Sequence, residues 1–544
     1  MPFCSAAALQ IREPKPNIGK WGYSVKKQIV WLLLICLLAA SVFGGCQRTD
    51  TPDTSAPDAS AAESTDNGSG DADSTAEPDG DSSEEPAADS SAGATTANGG
   101  SETRSTTKKA SSTTKKPSSE TVKLIKDLKG YKFVIAQSRY GDPPEYTPGE
   151  SELADAQHRR DEYIQKAYNC KIVYQYYEPT TFFNSAKAVI MGGDKFADLM
   201  TIELFVFSRL YVQDMLYDIS TLPHVALNSD AYYKTHTDMM TFKNGTFGTN
   251  MGINNGAKSG AMVHYNRKII KECKVEDPQE LVKKGEWTWD KFKSLIAATA
   301  KDLDGNGSFT EKDRFGATSA SYSGLVPNFF SAGIPALKKD KNGKITYNLG
   351  TSEAQTALLK FDQMFSAKGG FYTADFEKQV KQYTEGKAAF FLGTLGSMAV
   401  DAGIEDAVVP FPVYKKGMSY IAGQSHDTNV VAVPKTIKDP ETTGLLMQAI
   451  AERSKSEWDL YCEDYKANFL DDTSAQMFEK YIWGKGNADL MTLVLQLDMT
   501  LYNGTQCAIG NPVLSDQLAS DLVYSNAEAC QTMLDEMFNA KKAK

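Results

Sequence analysis

The strongest constraint on the fold is an alternation of strand-like and helix-like segments that begins at residue 131. Apolar runs of strand length occupy residues 131–137, 170–177 and 196–202. Between them, residues 150–168 and 181–191 carry apolar side chains at helical spacing. Because strands separated by single helices form parallel sheets with right-handed crossovers, this pattern predicts a βαβαβ unit in an α/β fold.

Ligands of open α/β sheets bind just beyond the carboxyl ends of the strands. We therefore expect binding residues directly after the first and third predicted strands. The residues in these positions are Ser138, Arg139, Tyr140, Glu203, Leu204 and Phe205.

The alternation continues through the middle of the chain. Further strands are predicted at residues 262–266, 387–392, 408–412 and 428–434, and the chain beyond residue 442 is mostly helical in pattern. A helix is predicted to begin after Thr288, whose hydroxyl can cap it. Its apolar side chains from Trp289 to Leu303 fall on one face, so we expect Trp289 to be a core residue.

The loop after that helix has the spacing of a calcium-binding loop. Side-chain oxygens recur at positions 1, 3 and 5, and Gly307 at position 6 permits the sharp turn. Position 12 is an aspartate where glutamate is usual, so its side chain is one methylene shorter. The pattern predicts a structural Ca²⁺ site, and the alternative is a solvated turn rich in Asp and Gly. The candidate metal ligands are Asp302, Asp304, Asn306, Ser308 and Asp313.

The N-terminal segment has the organisation of a secretory signal. Four lysines precede an apolar run at residues 29–42, which is short for a bilayer span, and small residues follow it. The stretch Phe43-Gly44-Gly45-Cys46 resembles a bacterial lipoprotein signal, with Cys46 as the lipidated first residue of the mature chain. The alternatives are an ordinary cleaved signal and an uncleaved anchor helix. In both of them Cys46 would have no special role.

Residues 46–120 are predicted to be a disordered tether. They are rich in Ser, Thr, Asp and Glu and almost lack large apolar side chains, so they cannot offset the entropy of ordering. The formal net charge of the chain is -11. Because no long basic stripe occurs, we do not expect nucleic acid as a partner.

The cysteines in the globular part do not indicate a metal site. They are odd in number and lack the close Cys or His spacing of zinc ligands. A disulfide between Cys507 and Cys530 and buried free thiols both remain open as interpretations.

Several ordered stretches resemble bacterial extracellular solute-binding proteins, the sugar-type family that serves ABC importers. They span about residues 130–450 in the family's order. The stretches are Phe196-Ala197-Asp198-Leu199, Tyr265-Asn266-Arg267-Lys268, Thr288-Trp289-Asp290, the Asp/Asn loop before Arg314-Phe315-Gly316, Thr384-Glu385-Gly386-Lys387-Ala388-Ala389-Phe390 and Val433-Pro434-Lys435.

The resemblance implies a two-lobed, periplasmic-binding-protein-like fold of type II with crossing hinge strands. Lobe one would be residues 121–254 with about 415–470, and lobe two residues 255–414 with about 471–544, after a signal peptide at 1–45. Hinges would lie near Gly252 and residues 412–423. The implied ligand-binding residues are Arg139, Tyr140, Glu203, Phe205, Asn254, Thr394, His426, Asp427 and Trp483.

The function implied is that of an extracellular, lipid-anchored monomer that delivers an oligosaccharide to the permease subunits of an ABC importer. Two alternative functions share this fold: binding of a non-sugar ligand such as a peptide or polyamine, and a role as a component of a sensor. A secreted glycosidase is the enzymatic alternative, but the chain has no GxSxG, HExxH or P-loop motif and only five His. We therefore expect a binding protein that is not an enzyme.

Overall fold

The computed structural model describes residues 122–139, 141, 143–254, 260–394, 403–424, 428–487, 489–515 and 517–540. In chain order the strands are β1 (Tyr131–Ser138), β2 (Cys170–Tyr177), β3 (Leu199–Glu203), β4 (Thr241–Phe242), β5 (Gly245–Thr246), β6 (Gly248–Thr249), β7 (Met262–Asn266), β8 (Phe315–Ser319), β9 (Leu337–Lys339), β10 (Ile345–Tyr347), β11 (Ala388–Gly393), β12 (Asp406–Val409), β13 (Ala422–Gly423), β14 (Asn429–Ala432) and β15 (Gly486–Asn487).

Helices cover both faces of the larger sheets. They are α1 (Glu152–Tyr168), α2 (Pro179–Met191), α3 (Leu204–Val212), α4 (Lys234–Met239), α5 (Arg267–Cys273), α6 (Pro278–Lys284), α7 (Trp289–Thr299), α8 (Ser321–Leu325), α9 (Ser352–Phe365), α10 (Phe376–Thr384), α11 (Pro440–Arg453), α12 (Glu457–Lys466), α13 (Asp472–Tyr481), α14 (Met491–Val494), α15 (Met499–Tyr502), α16 (Ala508–Ser515) and α17 (Ala519–Leu534). Within the described ranges, no helix combines the length and apolar composition that crossing a membrane requires.

Two sheets form the centres of two α/β lobes. The five-stranded sheet has the order β2-β1-β3-β14-β6, and the four-stranded sheet has the order β12-β7-β11-β8. β1 pairs in parallel with both β2 and β3, which confirms the predicted βαβαβ unit. β14 runs antiparallel to β3 and β6, so a distant part of the chain completes this sheet.

Alternation along β1 places its side chains in two different cores. Phe133 and Ile135 are fully buried on one face with Ile164 of α1, while Ala136 lies on the other face with Phe182 of α2. This period of two is the geometry of a strand covered on both faces. The four-stranded sheet has its own core, in which Trp289 is 3% exposed.

The helix predicted after Thr288 forms but ends earlier than its apolar pattern indicates. Thr288 caps it by accepting a hydrogen bond from Lys291 N. It ends at Thr299 because Lys301 pairs with Arg314 in an isolated antiparallel bridge, which turns the chain away. Leu303 is consequently 51% exposed, so its predicted place on the buried face is wrong.

The cysteines of the globular part are free thiols. Cys507 and Cys530 are both buried and unbonded to each other. Burial raises the pKa of Cys507 to about 11 and that of Cys530 to about 12, so both stay protonated at neutral pH. The free-thiol interpretation is therefore the one that holds in the structure.

A buried ion pair joins α1 to α12 beside the five-stranded sheet. Arg160 Nη1 donates to both carboxylate oxygens of Glu457 at 2.8 and 2.7 Å. Its Nε donates to Asp161 at 2.8 Å and its Nη2 to the Tyr174 hydroxyl at 3.0 Å. This cluster ties α1, the first helix of the described residues, to a segment nearly 300 residues later.

Candidate functional site

Two crossing segments join the lobes. The first crossing leads from β6 to β7, and the second crossing leads from β12 to β14. β6 ends and β14 begins at the edge where β1 and β3 have their carboxyl ends. β7 begins and β12 ends at the edge where β8 and β11 have theirs. The carboxyl ends of the parallel strands of both sheets therefore lie on either side of the crossing segments, where ligands of such sheets bind.

Three polar residues form a row at the carboxyl edge of the five-stranded sheet. Glu203 is the register partner of Asn429, the first residue of β14. Arg139 lies two residues beyond the pair Gln137 and Thr201, so it continues the same row on the other side of Glu203. Its backbone N–H still donates to Tyr177 O at 3.0 Å, and its guanidinium carbon lies 5.9 Å from the centre of the Tyr176 ring. The predicted residues Arg139 and Glu203 are thus neighbours.

Several buried polar atoms near this row have no hydrogen-bond partner among the described residues. They are Ser138 Oγ, Arg139 Nε, Asn254 Nδ2 and Asn429 Oδ1. Buried polar atoms are nearly always paired in folded proteins, because an unpaired one costs about 1–3 kcal/mol. Such a concentration at a strand-end edge is typical of a surface that binds a polar ligand.

The crossing segments are joined to each other by a buried hydrogen-bond chain. Asn250 Nδ2 donates to Asn429 O at 2.6 Å and lies 3.1 Å from His236 Nδ1. The other ring nitrogen of His236, Nε2, lies 2.7 Å from Gln424 Oε1. Ala261 N also donates to Gly423 O at 2.7 Å, so both crossings are held side by side.

The strand ends of the four-stranded sheet carry a second set of polar residues. Thr394 follows β11 directly, and Ala320 N donates to Leu392 O at 2.8 Å, which keeps the two strand ends adjacent. Ser321 has a φ of 53°, an uncommon left-handed conformation for a residue other than glycine. The hydroxyl of the next residue, Tyr322, donates to Asn511 Oδ1 on α16.

Sequence reasoning missed Ser321, Tyr322, Asn429 and His236 as residues of this region. The strand-end rule, applied to β8 as it was to β1 and β3, would have found Ser321 and Tyr322. Asn429 and His236 had no local signal, because their positions depend on pairing with strands far away in the sequence.

The other predicted binding residues have different surroundings. Phe205, in the first turn of α3, is partly buried against the core of the five-stranded sheet. Trp483 packs against Tyr465 and Phe478, with ring centres 5.8 and 5.9 Å away. Asn254 is 3% exposed at the end of the first crossing. Tyr140, His426 and Asp427 lie outside the described residues, as does Cys46.

Near Gly252, where a hinge is predicted, the first crossing lies against the end of α11. A Cβ atom at this glycine would lie 1.8 Å from Ser454 O, so no larger residue fits without moving the chain. The assignment of residue ranges to hinges and lobes stays a prediction.

The predicted metal loop brings three carboxylates together. Oxygens of Asp302, Asp304 and Asp313 lie within 4.8 Å of one another, which is compatible with a Ca²⁺ ion bound at 2.3–2.6 Å. Asp302 accepts hydrogen bonds from Gly305 N and Gly307 N at 2.7 Å each. Hydrogen bonds from the backbone N–H groups of Leu303 and Thr310 lower the pKa of Asp313, which keeps it ionised.

Asn306 and Ser308 are arranged differently from these carboxylates. Asn306 Oδ1 accepts a hydrogen bond from Ser308 N at 2.7 Å, and Asn306 Nδ2 donates to Asp304 Oδ2 at 2.9 Å. Both residues are exposed. A cation would therefore compete with bonds inside the loop for the Asn306 oxygen.

His236 makes the stability of the fold depend on pH. Complete burial lowers its pKa from 6.5 to about 4, although the Gln424 hydrogen bond opposes the shift. The folded protein keeps the ring neutral while the unfolded chain takes up a proton, so stability is lost as pH falls from about 6.5 to about 4. We expect this residue to account for about 3 kcal/mol of the loss over that window.

Replacing His236 by asparagine checks this expectation. Urea unfolding of both proteins at a series of pH values should give a flatter pH dependence for His236→Asn, which has no group titrating near pH 6. The exposed His158, replaced in the same way, serves as the control. Parallel pH profiles for the wild type and His236→Asn would contradict the assignment.

Two α/β lobes joined by crossing segments, with polar residues at both sets of strand ends, define the class of two-lobed, periplasmic-binding-protein-like folds. The family model of bacterial extracellular solute-binding proteins matches residues 141–452, more than half of the chain. The chain belongs to this family, as its resemblance predicts. A search of curated protein sequences found no match.

Solved structures of the same fold have low sequence identity to this chain. UspC of M. tuberculosis has a TM-score of 0.50 at 15% identity, covering 74% of this chain and 100% of its own. A cyclo/maltodextrin-binding protein complexed with maltotetraose has a TM-score of 0.50 at 14% identity, and the match covers 75% of this chain and 98% of that protein. The sugar-binding protein MalE from Xanthomonas citri has a TM-score of 0.50 at 12% identity, and the match covers 74% of this chain and 98% of that protein. At these identities the similarity concerns the fold alone.

Proposed function

We propose that this protein captures an oligosaccharide between the two sheet edges and delivers it to an ABC importer. The observation that carries the proposal is the row of Arg139, Glu203 and Asn429, with unpartnered buried atoms on Ser138, Arg139 and Asn429. Sugar hydroxyls both donate and accept hydrogen bonds, so one glycan can satisfy a carboxylate, an amide and a guanidinium together.

The chemistry of the opposite edge also suits a carbohydrate. Thr394 and Tyr322 offer a hydroxyl and an aromatic ring, and aromatic rings can stack on the apolar face of a sugar. Membership of the solute-binding family supports capture without catalysis. The solved structures described as maltodextrin-binding and sugar-binding support the choice of carbohydrate as the ligand class.

The remaining binding residues of the proposal are those predicted from the sequence. We propose that Asn254, at the end of the described part of the first crossing, and Phe205, two residues after Glu203, contribute to the site, with Trp483 as the aromatic residue of the C-terminal part. Tyr140, His426 and Asp427 follow the same strand or crossing as described residues of the site, and we include them on that ground.

The proposed delivery requires a position at the cell surface. Lipidation of Cys46 would hold the protein at the membrane, and the polar segment 46–120 would set its reach, about 50 Å for a random coil of that length. Tethering raises the local concentration of a receptor near its importer. Mass spectrometry of the mature chain tests this part, because an unmodified or absent Cys46 would contradict it.

A panel of ligands tests the proposed binding activity. Oligosaccharides, peptides and polyamines are added singly to the purified protein, and tryptophan fluorescence and melting temperature are recorded. We expect an oligosaccharide to shift both, because a ligand that binds only the folded state stabilises it. A response to peptides or polyamines alone would assign a different ligand class. Hydrolysis of a glycan would establish an enzyme instead.

The proposal also includes a structural Ca²⁺ ion in the loop of Asp302, Asp304 and Asp313, with Asn306 and Ser308 as further ligands. An ion would relieve the mutual repulsion of the three carboxylates. At roughly 100 times its Kd it would stabilise the fold by about 2.7 kcal/mol. We expect chelation to lower the melting temperature by several degrees, and Asp302→Asn to remove this response.

The control for the calcium prediction is Glu311→Gln, which changes an exposed carboxylate of the same loop outside the ligand pattern. It should keep the response to chelation. A wild-type melting temperature that is unchanged after chelation would contradict the bound ion and favour the solvated turn.

A further inference from the structure

The β9–β10 hairpin passes from the core of one lobe to the core of the other. The segment that precedes it, Val326–Ala332, is fully buried, and Val326 and Phe329 belong to the core of the four-stranded sheet. Leu337 and Ile345, on the hairpin itself, are each 1% exposed and pack in the core of the five-stranded sheet. The hairpin is thus a contact between lobes that is separate from the crossing segments.

Lys339 ends β9 and binds the carboxyl end of helix α4. Its Nζ donates to Thr241 O at 2.8 Å, to Met239 O at 3.2 Å and to Asp238 O. The last carbonyls of a helix have no partner within the helix and carry partial negative charge, so a cation stabilises them. Burial lowers the pKa of Lys339 to about 8, which leaves it charged at neutral pH.

The turn of the hairpin lies directly against the same part of the five-stranded lobe. Gly343 has a φ of +78°, and a Cβ atom there would lie 2.8 Å from Lys243 N, between β4 and β5. Close backbone contact at this position leaves no room for a side chain. The contact of Lys339 with α4 is therefore part of a fitted surface.

The C-terminal helices hold the other edge of the hairpin. Tyr347 N donates to Gln531 Oε1 at 2.9 Å, and Ile345 N donates to Asn539 Oδ1 at 2.7 Å. Asn539 Nδ2 returns a bond to Ile345 O at 2.8 Å. Because both edges are bonded, the hairpin is positioned firmly enough to fix what Lys339 touches.

Helix α4 connects this contact to the crossing segments. It has only six residues, and its central residue His236 contacts Asn250 on the first crossing and Gln424 on the second. Asn250 in turn bonds the backbone of Asn429. If the bonds from Lys339 were lost, the end of α4 would shift, and His236 would transmit this shift to both crossings.

We propose that Lys339 is a positioning residue which, by capping α4 from the hairpin that joins the two cores, fixes Asn250 after β6 and Asn429 at the start of β14. The β9–β10 hairpin is in this way a further, non-covalent contact between the lobes, beside the C-terminal helices that pack in both cores. This role of Lys339 belongs to the ligand-free protein and does not depend on the proposed sugar binding.

Hydrogen–deuterium exchange of the ligand-free full chain tests the proposal through the variant Lys339→Met, which keeps an apolar stem. We expect exchange about tenfold faster at residues 236–240 and also in the crossings, at 248–252 and 429–432, because charge-assisted bonds to the helix end are lost. Exchange in β8 and β11 should not change. Lys339→Arg, which can donate to several carbonyls, should restore the wild-type pattern.

The control is Lys338→Met, the exposed neighbour on the same strand, which should exchange like the wild type. Faster exchange confined to residues 236–242, equal acceleration throughout the chain, or failure of Lys339→Arg to rescue would each overturn the proposal. If Lys339→Met does not fold, Gly343→Ala, which pushes the hairpin turn away from Lys243, replaces it. The same exchange pattern is then expected.

Discussion

Replacing Glu203 by glutamine is expected to weaken the proposed oligosaccharide binding by about 10- to 100-fold and to leave the free protein folded. Glu203 is 3% exposed at the last position of β3. A buried carboxylate makes charge-assisted hydrogen bonds to hydroxyls that are worth about 1.5–3 kcal/mol, more than those of a neutral amide. Each 1.4 kcal/mol of lost binding energy weakens the Kd tenfold.

Isothermal titration with the best oligosaccharide of the panel measures the change in affinity for Glu203→Gln. Urea unfolding in the absence of sugar shows whether the fold is intact. Glu152→Gln on α1, an exposed carboxylate of the same lobe, is the matched control and should bind like the wild type. Unchanged affinity for Glu203→Gln would exclude Glu203 from the binding site.

Replacing Arg160 by methionine is expected to lower the free energy of unfolding by about 3–5 kcal/mol, because it leaves a buried carboxylate without its partner. Glu457 is 1% exposed and takes both hydrogen bonds of Arg160 Nη1. Chemical denaturation measures the loss. Arg159→Met, one position earlier and exposed on the same helix, should change stability little.

The double variant Arg160→Met with Glu457→Met separates charge from packing. Two apolar side chains of similar length remove both charges of the Arg160–Glu457 pair, and the partly exposed Asp161 keeps its bond from the Tyr174 hydroxyl, so the double variant should regain most of the stability lost in Arg160→Met. Additive losses in the two single variants would show instead that packing around each side chain, rather than the ion pair, accounts for the effect.

The fold was predictable wherever the pattern of apolar residues was local. The three strands and two helices of the first βαβαβ unit lie within a few residues of their predicted bounds, since each depends on its own periodicity. The Thr288 cap and the buried Trp289 were predicted correctly for the same reason. The helix end at Thr299 was not predicted, because it depends on the bridge between Lys301 and Arg314, which are too far apart in the sequence for a local pattern to show.

The candidate site was predictable in part. The strand-end rule placed Arg139 and Glu203 correctly at one sheet edge, since it needs only the strand boundaries. Their neighbour Asn429 comes from an antiparallel strand more than 220 residues after Glu203, and register between distant strands is not visible in either segment alone.

The amino-acid sequence by itself determined the α/β class, the order of the elements of the first lobe and the family to which the chain belongs. Local periodicity and ordered motifs carry that information, because they depend on neighbouring residues. Only the tertiary structure decided that Arg160 meets Glu457 and that Lys339 caps α4. Which polar groups are buried together depends on the packing of segments that lie far apart in the chain.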